Sequence, residues 1–308
     1  MIALVAATVH EGLGWNLGDD MRHLFELHFM VNAFRAGTIV AVVAGAMGWF
    51  TVLRRQSFAG HALAVVSFPG AAGAVWLGVS ATAGTFVASI SAALVIALVP
   101  RSASGGGDGE DSAVIGTVQA LALASGVLFV SLYGGFLNSL NGLLFGTFLG
   151  ITDDQVTTLI IVGAAVLLVL AAIGRPLFFA TIDADVAHAS GVPVRLLSVV
   201  FLVLLGCAAA EVSQITGSLL VFALLVLPAA SAQRLTSRPG SSFVLTIVLA
   251  VAITWVALAA AYFSVYPIGF FVTTIGLGVF VVVTVAQSAK VRIQRRGRSG
   301  FTSRGVAA

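Results

Sequence analysis

Apolar and polar positions along this chain fall in long blocks rather than at a short period. Long apolar runs are broken by brief polar or glycine-rich stretches, and each run approaches the roughly 20 residues a helix needs to cross a membrane. The first run covers residues 30–53 and is closed by Arg54 and Arg55. Within it Ala33, Gly37, Ala41 and Gly45 recur every fourth residue, a stripe of small side chains that lets another helix approach closely. Further runs lie at 60–79, 81–99 and 113–133, the last preceded by a Gly/Ser/acidic stretch at 101–112 that reads as a flexible loop. Residues 134–154 are too interrupted by Gly and Asn for a plain span and predict an exterior loop with a short surface or re-entrant helix. A fifth run covers 155–173, and four more cover 196–210, 217–232, 243–263 and 269–286. The pattern predicts an all-α polytopic membrane protein with nine transmembrane helices, or eight if the 134–154 region changes the count.

Between the fifth and sixth runs lies a polar island, ATIDADVAHASGVPVR, at 180–195. Asp183 can cap a short helix over 184–190. Gly191 suits the left-handed position just past its end, and Pro193 prevents continuation. Ile182, Val186 and Ala189 fall at helical spacing on one apolar face, while Asp185 and His188 are polar. Two readings fit such a helix: a plug for a groove on another protein, or an interfacial helix lying on lipid.

Composition supports the membrane assignment. Only 9% of the 308 residues are charged and the mean hydropathy is +1.09, too few charges to cover a water-facing surface of that size. The net charge of +3 does not point to nucleic acid, because most basic residues sit at the ends of apolar runs and no basic groove with interleaved aromatics appears. Cys207 is the single cysteine, which excludes an intrachain disulfide or a cysteine-based metal cage. The division that follows is an exterior leader at 1–28, a transmembrane domain at 29–287 and a basic tail at 288–308. The leader holds His10, His23 and His28 among acidic residues without tight ligand spacing, and reads as a solvated tail.

Charge also predicts sidedness. With the N-terminus outside, nine spans place 13 of the 15 Lys and Arg residues on the cytoplasmic side, leaving Arg22 and Arg35 on the outer side. The island and the C-terminus are then cytoplasmic. A faint internal repeat is also present: Phe68-Pro69-Gly70 in the second run and Leu227-Pro228-Ala229 in the seventh. Spans one to four and six to nine would be inverted repeats, a plan common in transporters.

Some chemistry is missing. The only lysine is Lys290, in the tail, so the chain has no nucleotide-binding P-loop. Eleven of the twelve acids fall in predicted loops or tails; the exception, Glu211, is placed at the outer end of span six. Nothing obvious within the membrane supplies energy coupling, which points to a partner as its source, with the island as the candidate handle.

Four stretches together resemble a known family: VLRRQSFAGHALAVVSFPG at 52–70, LFGTFLGI at 144–151, the island with its ASGVPVR, and GSLLVFALLVLPAASA at 217–232. In order and spacing they are similar to the permease subunits of zinc- and manganese-type ATP-binding-cassette importers, over most of the chain from residue 34 to the ninth span. The resemblance implies a type II importer-like permease fold and two permease chains lining a pathway. It implies two cytoplasmic ATPase subunits that hold ATP and magnesium, and an extracytoplasmic solute-binding protein. The chain itself would bind no cofactor, and a divalent metal ion (zinc or manganese, or iron) would be the substrate. The island would be the coupling helix, with Asp183, Ala187 and Gly191 at the family's acidic, small and glycine positions.

One departure concerns the pore. The family pattern has an Asp or His after the glycine of the second span and a His four residues later. Here His61 fills the first position but Val65 the second. A lone imidazole is a poor metal site, which leaves two readings. His61 is a pore-lining or helix-start residue with a satisfied hydrogen bond, or it is a metal contact completed by Glu211, Asn32 or a symmetry-related His61. A metal chelate is then an alternative substrate. Arg35, early in span one, either snorkels to the outer interface or pairs with Glu211 or an exterior acid to gate the outer mouth. A self-sufficient channel or carrier, and a non-transporting scaffold, are the competing classes.

Overall fold

The small-residue stripe of the first run has a definite partner. In the computed structural model the run forms α1 (His28–Leu53), and the stripe faces α9 (Pro239–Tyr262). A Cβ on Gly37 would stand 2.9 Å from a Leu258 methyl, and one on Gly45 would stand 2.9 Å from the Ile247 backbone. Two polar contacts reinforce the seam and a third ties a neighbouring helix to the same part of α1. Trp49 Nε1 donates to Ser242 Oγ at 3.1 Å, Trp255 Nε1 to Thr38 Oγ1 at 2.9 Å, and Gln233 Nε2 to the Trp49 carbonyl at 3.0 Å from the neighbouring helix α8 (Val221–Leu235).

The structure describes residues 27–99, 108–133, 144, 146, 151–218, 220–264 and 266–302, with side chains from 112 to 132 in the fourth helix and to Lys290 in the last. Every described element is a helix. The others are α2 (Ser57–Trp76), α3 (Ala81–Leu98), α4 (Asp108–Tyr133), α5 (Asp153–Ile182), α6 (Ala184–Ala189), α7 (Val194–Thr216) and α10 (Ile268–Thr302). Eight of these helices are long and apolar enough to cross a membrane. α8, with 15 residues, spans about 22 Å at 1.5 Å per residue, short of the ~30 Å hydrocarbon core. All nine predicted spans are therefore helices, but one is a short helix preceded by the irregular stretch after Gly217. The leader up to residue 26, the loop at 101–107, most of 134–150 and the end of the tail lie outside the described residues.

Several predicted boundaries shift. α5 does not stop at 173 but continues through Pro176 to Ile182, because Leu177 and Ala180 still bury against neighbours. A proline in a span is tolerated where adjacent helices hold the chain. The island thus begins inside α5. α7 runs to Thr216 rather than 210 and is ended by Gly217 at φ +79°, a conformation that favours glycine. α4 opens at Asp108, within the stretch read as loop, and α10 carries the basic tail on as helix to Thr302.

Hydrogen bonds between helix ends fix the directions. Arg54 at the end of α1 bonds Thr181 at the end of α5 and Ser198 at the start of α7. Asn32 at the start of α1 bonds Asp153 at the start of α5, and Thr82 at the start of α3 meets Gln214 near the end of α7. The bundle therefore has an α6 end and a far end, with α7 antiparallel to α1, α8 to α2 and α9 to α3. Neighbour pairs repeat under the same exchange. α1 packs along α9 and α7 along α3; α2 is held by α3 and α4, and α8 by α9 and α10; α1 lies on α8 as α7 lies on α2. α5 touches both α1 and α7 and so sits between the halves. Close approaches match too. Gly126 of α4 abuts Phe68 and Pro69 of α2, and Gly276 of α10 abuts Leu227, the residue before Pro228 of α8. The inverted repeat, suggested in the sequence by two prolines alone, is the organising plan of the fold.

Candidate functional site

α6 is built as its residues dictate. Asp183 leaves α5 in an extended conformation and its Oδ1 accepts the Val186 N–H at 2.9 Å, satisfying a donor that a helix start otherwise leaves unpaired. Gly191 stands at φ +82°; its N–H donates to the His188 carbonyl, and the Val192 N–H donates to that of Ala187. Ala187 points inward, with none of its surface exposed, and seats the helix on the body of the bundle. Ile182, Val186 and Ala189 point outward, Ile182 at 67% exposure and Val186 at 50%, and Asp185 and His188 lie exposed beside them. A Cβ at Gly191 would meet nothing within 4 Å, so the space around it is open.

Arg54 ties together the two helices that flank α6; in the sequence it stands only as a marker of sidedness. Its Nη1 donates to Thr181 Oγ1 at 3.1 Å and its Nη2 to Ser198 Oγ at 2.9 Å. The guanidinium lies 5.1 Å over the ring of Phe201, a fully buried side chain of α7. Arg55 follows at φ +57°, turning the chain into α2.

His61 lies in the second turn of α2, half-buried, its ring edge-on to Phe222 of α8 at 5.6 Å. Its Nδ1 is buried with no hydrogen-bond partner among the described residues. One turn on, Val65 is 2% exposed. The suggested co-ligands lie elsewhere in the same chain. Asn32 is at the opposite end of α1, where its Nδ2 donates to Asp153 Oδ1 at 2.9 Å and to the Ile151 carbonyl at 3.3 Å. His28 Nε2 reaches the other Asp153 oxygen at 3.2 Å. This lock between α1 and α5 was not foreseen, because His28 reads in sequence as the end of a leader. Among the described residues no group of three or more His, Cys, Asp or Glu side chains is arranged to hold a metal.

Glu211 is not at the outer end of its span. It is fully buried, and its Oε1 lies where a Cβ on Gly163 of α5 would come within 2.9 Å; Ile39 and Val43 of α1 close the same space. Neither carboxyl oxygen has a hydrogen-bond partner among the described residues. Arg35 is exposed near the far end of α1. The structure does not bring Arg35 and Glu211 together; Glu211 belongs to the α1–α5–α7 junction instead.

The match to a known family is broad. Residues 26–287 match the model of the ABC 3 transport family. The chain is 30% identical over 250 residues to the manganese transport system membrane protein MntC of Halalkalibacterium halodurans, covering 81% of this chain and 83% of that protein. It is 32% identical over 242 residues to the chelated iron transport system membrane protein YfeC of Yersinia pestis, covering 79% and 80%. Among solved structures, PsaBC from Streptococcus pneumoniae in complex with Fab superposes with a TM-score of 0.77 at 26% identity, over 87% of this chain and 95% of that one. A putative metal-chelate type ABC transporter in an inward-facing conformation superposes at 0.69 and 18% identity, a likeness of fold alone. With the family model matched from the start of α1 to the crossing part of α10, this chain belongs to the ABC 3 transport family.

Proposed function

We propose that this chain is the membrane permease of an ATP-binding-cassette importer for divalent metal ions, with manganese and iron as the first candidates and zinc as the third. The observation that carries the reading is α6. A capped helix, seated by Ala187, leaves Val186 half exposed beside Ile182 at the end of α5, which is 67% exposed. Arg54, Arg55, Arg195, Arg234 and Arg238 lie at the same end of the bundle as α6, which supports its placement in the cytoplasm with the N-terminus outside. In this reading a cytoplasmic ATPase, which holds ATP and magnesium, receives α6 in a groove. A solute-binding protein delivers the metal at the far end, where Arg35 and the His28–Asn32–Asp153 lock form part of the rim. Two copies of the chain line the pathway. Names of relatives support the substrate class: one belongs to a manganese system and one to a chelated-iron system.

His61 is the proposed metal contact, completed by a donor from outside this chain, because Val65 occupies the place of a second ligand. The same valine favours a second reading, in which the pathway accepts a metal chelate that brings its own donors.

The test is uptake by vesicles reconstituted with the ATPase and binding protein, offered manganese(II), iron(II) and zinc(II) in turn. ATP-dependent uptake of at least one free ion is expected. His61→Ala should slow it by at least about tenfold, the lower range for disturbing metal-site partners. Unchanged uptake of all three ions in that variant would remove His61 from the pathway. ATP-dependent uptake of a chelate but of no free ion would favour the second reading.

A further inference from the structure

The structure assigns to Arg54 the transmission of movement from α6 to the α1–α2 hairpin, an inference that rests on the proposed docking of α6. Among the described helices α6 touches α5 and α7 alone, so a force on α6 enters the bundle through those two helices. Arg54 bonds both of them at the points where they leave α6: Thr181, two residues before the cap Asp183, and Ser198, four residues into α7. The Thr181 acceptor is oriented. Thr181 Oγ1 donates its own proton to the Leu177 carbonyl at 2.6 Å, which leaves a lone pair for the arginine. Phe201 supports the guanidinium face and meets Phe50 of α1 at 6.4 Å, so the contact is packed as well as bonded. A planar guanidinium with several donors in fixed directions spans two acceptors on different helices; a lysine ammonium does so with less geometric definition.

What lies beyond Arg54 is the root of α2. Arg54 caps α1, its Nε reaches Gln56 Oε1 at 3.5 Å, and α2 starts at Ser57 with His61 in its second turn. A shift of the α5–α6–α7 corner therefore has a bonded route to the base of the helix that carries the candidate metal contact. Arg54 touches no substrate in this scheme and acts as a positioning residue.

The experiment compares wild type, Arg54→Gln, Arg54→Lys and the double variant Thr181→Val/Ser198→Ala in the reconstituted importer. The readouts are manganese(II) taken up per ATP hydrolysed, basal ATPase rate and co-purification with the ATPase. Loss of charge-assisted hydrogen bonds predicts that uptake per ATP falls about tenfold in Arg54→Gln and in the double variant. Basal hydrolysis and co-purification are expected to stay, with Arg54→Lys intermediate. Combining Arg54→Gln with the double variant should add nothing further, because both cut the same link. Wild-type uptake per ATP in the double variant, whose arginine is intact, would overturn the assignment, as would loss of co-purification in both variants, which would make the contact a matter of assembly. Absence of ATP-dependent uptake in wild type would instead count against the importer reading on which the assignment stands.

Discussion

At Gly191 the chain sits at φ +82° with open space around it, so two effects of substitution separate. Gly191→Ala costs only the strain of a left-handed residue, about 1–2 kcal/mol, and should lower thermal stability in detergent slightly while the ATPase still responds. Gly191→Arg adds a long charged side chain beside the exposed face of α6. It should abolish stimulation of the partner ATPase while membrane insertion stays normal; full stimulation in that variant would argue against docking through α6. Ala187 is the counterpart on the inner face. Its small side chain is needed for seating, which sequence resemblance could not distinguish from contact with a partner. Residue chemistry also explains what was misplaced. Glu211 reads as an end-of-span acid because nothing in its neighbours announces that the helix runs on to Thr216. Only the side-chain vacancy at Gly163, from another helix, makes room for it.

Between elements, the halves of the molecule meet at a glycine on each seam. Gly45 lets α1 lie on α9, and Gly206 lets α7 lie on α3, where a Cβ would come 2.8 Å from the Ser89 carbonyl. Gly45→Ala and Gly206→Ala should each destabilise the fold by about 1–3 kcal/mol, the usual range for overpacking. The two should be comparable in thermal unfolding of the purified protein. A large loss at one and none at the other would show that the seams are not equivalent in strength. The stripe Ala33, Gly37, Ala41, Gly45 was legible in the sequence as a packing face, since its period is that of a helix. Its partner was not, because α9 lies some 200 residues away and carries its own Thr254 and Leu258 to fill the groove. α8 shows the opposite case. Its residues were found, but its shortness follows from the break at Gly217, whose conformation the composition of the run conceals.

For the whole molecule the sidedness of α6 is the decisive quantity. In a Cys207→Ser background, Ser190→Cys should react with a membrane-impermeant maleimide only after cells are permeabilised, whereas Val79→Cys, exposed in the turn after α2, should react in intact cells. Labelling of Ser190→Cys from outside would invert the proposed topology and take α6 out of reach of an ATPase. The membrane class, the described helices, the cap and stop of α6 and the clustering of basic residues are all legible in the residues alone. These follow from hydrophobic run length, capping chemistry and charge, which are local properties of the chain. It took the packed bundle to show which helices of the two halves lie side by side, that Arg54 joins both roots of α6, and that His61, Asn32 and Glu211 lie in three separate places. Those facts depend on which distant helices lie side by side, and in a membrane apolar surfaces pair by shape rather than by hydrophobicity, so the run of residues along one helix does not name its neighbour.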